Sequence, residues 1–315
     1  MKLNALIFIS YCIFWSATEI MAQQFPDTVF VYSIRQPAYQ KDKGPLIFID
    51  KAHHNFHTQE GGYAPFSKLL VQDGYRVLSL DKPVLSENVL KGCKILVIAN
   101  ALDSVNTEDW ILPTPSAFSK QEIEILNKWV TNGGRLFLIA DHMPFAGAAC
   151  DLGKAFGFEF INGFAFTGSG TWPPSVFSVK NNTLLKSPII SGIKDYEKID
   201  SIASFTGSAF KAPKEAIPVL KFLSGNYSLQ PDTAWRFNSK TLKLDLGDYC
   251  QGAILKYGKG KVAVFGEAAM FTAQLANGNF KVGMNSEAAP QNAQFLLNLI
   301  HWLDGMKEYS GILKN

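Results

Sequence analysis

The chain has 315 residues, of which 47% are hydrophobic and 18% charged, so it can build a substantial core and does not read as disordered. Its net charge of +3 comes from scattered lysines with no basic run, which gives no case for a nucleic-acid partner. Arginine is confined to Arg35, Arg76, Arg135 and Arg236.

Residues 1–22 read as a secretory signal: Lys2, an apolar run from Leu3 to Trp15, and a small residue, Ala22, at the cleavage point, with Ile20 making the site imperfect. The run is too short for a stable membrane span, so export to the periplasm or medium is expected. Cys12 falls inside it. Cys93, Cys150 and Cys250 remain; either Cys150 pairs with Cys250, or all are buried thiols.

Thr28–Tyr32 is strand-like. Leu46–Ile49 is the first core strand and runs into Asp50-Lys-Ala-His53-His54-Asn55-Phe-His57-Thr58, which holds three of the five histidines. Helical spacing follows from Tyr63 to Gln72, then strands at Tyr75–Leu80 and Lys94–Ala99, the latter ending in Asn100. Ser119 to Glu122 is a capping box, and its helix runs to Gly133-Gly134. The fourth strand, Arg135–Ala140, ends in Asp141-His142. This alternation predicts an α/β fold with a doubly wound, mostly parallel sheet. Residues 158–250 are irregular and read as a β-rich insertion or sheet extension, with strands at Phe158–Phe166 and Ile217–Phe222. A hairpin turns at Gly258-Lys-Gly260 and its second strand ends in Gly266-Glu267. A loop with Gln274, Asn277 and Asn285 precedes a final helix from Pro290 to Leu303. The expected organisation is one α/β domain spanning residues 23–315.

Carboxyl-terminal strand ends of a parallel sheet share one edge. Asp50, His53, His57, Asp141, His142 and Glu267 are therefore expected to face one cleft; the alternative is that each carboxylate caps its own loop. Two chemistries fit: a divalent metal held by some of His53, His57, His142 and Glu267, or metal-free acid/base catalysis by His53, His57, Asp141, His142 and Glu267. Asp50, Asn55, Tyr63, Asn100, Arg236, Gln274 and Asn285 are candidate substrate contacts, with Arg236 suited to a carboxylate. His54 ranks below His53 and His57, and His301 reads as structural. Trp110, Trp172, Trp235, Tyr63 and Phe145 either stack on sugar rings or cover the core. No nucleophile elbow, phosphate loop or dinucleotide fingerprint is present.

The histidine loop, Leu112-Pro-Thr-Pro-Ser-Ala-Phe118, Gly134–Phe145 and Gly266–Gln274 resemble, in that order, an exported bacterial family of glutamine-amidotransferase-like (flavodoxin-related) fold, formerly a domain of unknown function. The amidotransferase cysteine is absent, Asp141-His142 standing at its turn, so glutamine hydrolysis is not implied. Relatives in that family are fused to unsaturated rhamnogalacturonyl or glucuronyl hydrolases, and the chain is also similar to an ulvan-oligosaccharide dehydratase. The family pattern has Asn at the place of His54. The resemblance implies a lyase that removes water from a terminal uronate, working alongside polysaccharide lyases and unsaturated uronyl hydrolases. A metal-dependent hydrolase of sugar esters or glycosides and a non-catalytic glycan-binding protein are the alternatives.

Overall fold

The computed structural model describes residues 24–168 and 174–306. The expected signal segment and Trp172 lie outside the described residues. Nine strands form the main sheet: β1 (Leu46–Asp50), β2 (Arg76–Leu80), β3 (Cys93–Ala99), β4 (Arg135–Ile139), β5 (Glu159–Ile161), β6 (Ala209–Lys211), β7 (Ile217–Lys221), β8 (Cys250–Tyr257) and β9 (Gly260–Phe265). Their spatial order is β2-β1-β3-β4-β9-β8-β6-β5, with β7 also paired to β8. The pairings β2–β1, β1–β3, β3–β4 and β4–β9 are parallel. Those from β9 outward are antiparallel, so the sheet is mixed rather than mostly parallel.

The parallel half follows from its continuous apolar runs, because strand side chains alternate between faces and both faces here are covered. Ile47, Ile49, Val97 and Ile139 pack with α1 (Ala64–Gln72) and the last helix, α3 (Asn292–Asp304). Leu96, Ile98, Leu136 and Leu138 pack with α2 (Lys120–Thr131) on the other face. The capping box read from Ser119 and Glu122 forms. Asp73, just past α1, receives the His301 ring of α3 at 2.6 Å and ties the two helices together.

Residues 158–250 divide. Part extends the main sheet, and the rest makes a sheet of Phe164–Phe166, Tyr227–Gln230 and Leu242–Asp245 and a pair of Ser175–Ser178 with Ser201–Ser204. Two expectations are corrected and one pair of alternatives is decided. Thr28–Tyr32 forms no strand; the early strand is Gln24–Pro26, paired to Ala273–Ala276. The segment read as a loop around Gln274 is a hairpin of Ala273–Ala276 with Phe280–Gly283, turning at Asn277-Gly278 with both residues at positive φ. Cys150 and Cys250 form no disulfide: these two and Cys93 are free thiols, and burial pushes Cys150 and Cys250 up to about 11 and Cys93 to about 12. Among the described residues no helix is long and apolar enough to cross a membrane.

Candidate functional site

Parallel strands deliver Asp50 (β1), Asn100 (β3), Asp141-His142 (β4) and Glu267 (β9) to one edge, as chain polarity requires. The side chains there divide into two groups.

His53 belongs to the first. Its Nδ1 lies 2.8 Å from Asp50 Oδ2 and its Nε2 2.9 Å from Glu122 Oε1. Phe118 packs against the ring at 4.5 Å. Burial alone would lower the His53 pKa, but the two carboxylates outweigh it and raise the pKa. With both imidazole nitrogens engaged, the His53 ring has no free lone pair in this arrangement. Asp50 is spent on the same clamp and on Ala52 N–H. Asn55 is equally local: its Oδ1 accepts from His53 N–H and its Nδ2 donates to Ala99 O. His54 is exposed at φ +47°, a left-handed conformation enriched in Asn, Asp and His.

The second group gathers His57, Tyr63, Asp141, His142 and Glu267. His57 stacks on Tyr63 (4.9 Å, 11° between planes), and Tyr63 on Phe66 (4.7 Å, 7°). Burial drives the His57 pKa down to about 3, so the ring is neutral. Its Nδ1 is buried without a hydrogen-bond partner and abuts Gly62, where a Cβ would collide with it. Tyr63 donates its hydroxyl to Ala268 O at 3.3 Å. Burial raises the Tyr63 pKa, and Glu267 and Asp141 raise it further, so the phenol lies within the field of both carboxyls.

Glu267 is fully buried and accepts from Ala269 N–H (2.8 Å) and Met270 N–H (2.7 Å). These bonds favour the carboxylate, but burial and then the neighbouring Asp141 win, and its pKa rises well above the usual range. Asp141 accepts from His142 N–H and Ala268 N–H, and its own N–H donates to Asn100 Oδ1. Asn100 sits at φ +51°, and its carbonyl receives Phe56 N–H, so it joins the histidine loop to the turn after β4.

His142 donates from Nδ1 to Met143 O at 2.6 Å. A carbonyl can only accept, so the neutral ring carries its proton on Nδ1 and its lone pair on Nε2. Burial lowers its pKa against the pull of Asp141. The ring stacks on Phe164 at 4.4 Å and is edged by Trp235 (4.7 Å), Phe145 (5.8 Å) and Trp110 (5.9 Å). Phe56 packs on His57, Trp110 and Phe145, so one aromatic layer connects the two neutral histidines.

The remaining predicted contacts belong to neither group. Gln274 bonds Thr272 Oγ1, which donates to the carbonyl of Ala269, whose N–H bonds Glu267, and Asn285 bonds Asp27 and the Gln274 carbonyl. Arg236 is exposed beside Trp235. Among the described residues no three His, Cys, Asp or Glu side chains are placed to hold a metal ion. Of the four candidate ligands, His53 has both nitrogens engaged and Glu267 is capped by backbone N–H groups, while His142 keeps a lone pair on Nε2 and His57 an unpartnered Nδ1. Sequence reasoning missed Glu122 as the partner of His53, Gly62 as the seat of His57, and Phe164 under His142. Of these only Glu122 carried a signal, the capping box, and that pointed elsewhere.

No family model and no curated protein matches the sequence. Among solved structures the chain is similar to the mmIFT52 N-terminal domain, with 16% identity and a TM-score of 0.59 over 84% of this chain and 99% of that one. It is also similar to a ThuA-like protein from Bacteroides uniformis ATCC 8492 (14% identity, TM-score 0.46, 89% and 97% covered). A cytoplasmic protein of Salmonella typhimurium, STM3548, has 14% identity and a TM-score of 0.48 over 82% of this chain and 98% of that one. The first likeness speaks for the fold alone, and none assigns a reaction.

Proposed function

We propose that this chain is an exported, metal-free acid/base lyase that removes water from a uronate at the non-reducing end of an oligosaccharide, giving a 4,5-unsaturated uronate. The observation that carries the reading is a buried Asp141–Glu267 carboxyl pair with the neutral His142 beside Asp141 and the neutral His57 stacked on Tyr63, the two imidazoles joined by an aromatic layer. The four resembling motifs supply the substrate class. The reaction requires a base for the C5 proton and an acid for the departing 4-hydroxyl. His142, with its lone pair fixed on Nε2, is the base. The C5–H electrons become the C4=C5 bond, the C4–O bond breaks, and the oxygen leaves as water with a proton from the Asp141–Glu267 pair. Burial and the neighbouring Asp141 raise the Glu267 pKa, which favours its holding that proton. His57 lies on the same layer as a second neutral imidazole, packed by Phe56 and Tyr63.

The finer fold assignment belongs to the same proposal: a doubly wound, amidotransferase-like sheet is supported by the order of the five parallel strands and by helices on both faces. In polysaccharide breakdown such an enzyme would work beside polysaccharide lyases and unsaturated uronyl hydrolases.

The test is to incubate the mature chain with uronate-terminated oligosaccharides, ulvan-derived ones included, and follow the ultraviolet absorbance of unsaturated ends. His142→Ala is expected to lower kcat by about 10²–10⁴-fold, the usual worth of a general base. Chelator is expected to leave the rate unchanged. No absorbance rise across a broad uronate panel sinks the lyase. Exposed aromatic rings favour one second reading, a glycan-binding protein without catalysis: Phe56 is 49% and Trp235 37% exposed. Binding by calorimetry without turnover would select it.

A further inference from the structure

Trp235 stands at φ +66°, a left-handed backbone that a bulky side chain rarely adopts. Such strain persists only where surrounding contacts over-determine it, and those contacts are present. Its loop is stitched to the segment before α2: Ile111 bridges Thr233, Leu112 N–H donates to Asp232 O, and Ala234 N–H donates to Trp110 O. Arg236 N–H closes back on Thr233 O at 3.1 Å. The two segments thus form one rigid lip. Its inner side is anchored, with the Trp235 indole against Phe164 (4.6 Å) and the edge of His142. Its exposed rim is mixed: Ile111 and Leu112 are each 45% exposed, Phe237 is 38% exposed while also packing on Phe164, and the charged Asp232 and Arg236 are exposed beside them.

We infer that Trp235 is a specificity-determining residue, whose indole stacks on the sugar ring next to the reacting uronate. The inference rests on the lyase reading and deepens it: the substrate is an oligosaccharide rather than a free uronate. A pyranose offers one face of C–H groups and a rim of hydroxyls, which suits an aromatic plane set in a lip of mixed apolar and charged side chains. The position follows from contact, since Trp235 touches the ring assigned as base. A ring seated on the exposed part of the indole is one sugar away from a uronate at His142. Mere coverage of Phe164 would not need a strained backbone, because a relaxed loop could bury the same ring more completely.

The experiment compares a uronate-terminated disaccharide with methyl glucuronide on the full chain, for wild type, Trp235→Phe and Trp235→Gly. Glycine adopts positive φ freely, which offsets part of the packing that Trp235→Gly removes from Phe164 and His142, and Tm is read for both variants to establish that they fold. The Trp235→Gly kcat/KM for the disaccharide is expected to fall at least tenfold further than that for methyl glucuronide, the difference lying in KM. Trp235→Phe should fall between. A loss shared equally by both substrates makes Trp235 a cover for His142 and overturns the inference, as does an unchanged disaccharide KM. If wild type binds the disaccharide by calorimetry without turning it over, the lyase reading alone fails. The same comparison in Kd then decides the role of Trp235. Neither binding nor turnover overturns both.

Discussion

At the scale of single residues, identical side chains diverge because their neighbours do. His53 and His57 are four positions apart, and both are nearly inaccessible, at 7% and 3% exposure. One lies between two carboxylates and gains a proton readily; the other stacks on Tyr63 and is denied one. Asp50 lies within the nonapeptide, but the second carboxylate, Glu122, arrives from a helix 69 positions away. The difference has a measurable sign. The folded pKa of His57, about 3, lies below the ordinary 6.5, so below that ordinary value the unfolded chain binds a proton that the folded chain refuses. Stability therefore falls as pH drops from about 6.5 toward 3, by up to about 1.4 kcal/mol per unit. His57→Leu removes this contribution, so its denaturant midpoint should vary less with pH over that window than that of wild type. An equal slope in both proteins would show that His57 titrates normally. Gly62 gives an independent check. A methyl there meets His57 Nδ1, so Gly62→Ala should displace the ring and cut turnover while leaving the remote His301–Asp73 pair intact.

At the scale of elements, the capping box of α2 does more than start a helix. Ser119 N–H and Oγ–H occupy Glu122 Oε2, which leaves Oε1 to receive Val84 N–H and to face His53. One carboxylate thus fastens the helix, the connection before it and the histidine loop. Burial pushes the Glu122 pKa up, but these bonds outweigh it and hold the pKa down. Removing one partner of such a buried arrangement strands the others, so His53→Ala and Glu122→Ala should each cost about 3–5 kcal/mol. The double variant should cost well less than the sum, since the second change removes a group already stranded. Full additivity in denaturant titrations would mean that the two side chains do not interact. The elements themselves were largely legible in sequence. Unbroken apolar runs marked β1, β3, β4 and β9, and Ser119–Glu122 marked α2. The hairpin at Asn277-Gly278 was missed although Asn-Gly is a strong turn signal, because its strands alternate weakly and Phe280 faces outward, 52% exposed. Strand β6 is three residues, too short for any periodicity to register, and the single strand expected over Phe158–Phe166 breaks at Asn162-Gly163 into β5 and the separate Phe164–Phe166.

At the scale of the whole molecule, the topology locates the site and also displaces it. The parallel strand order reverses between β1 and β3, the place where open sheets usually leave a crevice at their carboxyl ends. Here that place is filled: Leu102 N–H donates to His53 O at 2.8 Å, and Phe56 N–H donates to Asn100 O at 3.0 Å, so the loops after β1 and β3 are sewn together. What remains is the edge over β4 and β9, roofed by the crossing segment before β6. There Ser208 bonds Ala140 O and Gly266 O, and Gly207 lets the backbone pass against Glu267. Sequence could count the ionisable strand ends but not see that one crevice was closed by backbone pairing, which is why Asp50 and His53 ranked with Asp141 and Glu267. The displacement predicts a footprint. Hydrogen exchange with and without a uronate-ended oligosaccharide should slow at residues 141–145, 231–237 and 267–270. Residues 50–55 should exchange at the same rate in both, because their amides are already held by contacts that the ligand does not touch. Protection centred on residues 50–55 instead would put the ligand at the strand-order reversal and return His53 to the chemistry.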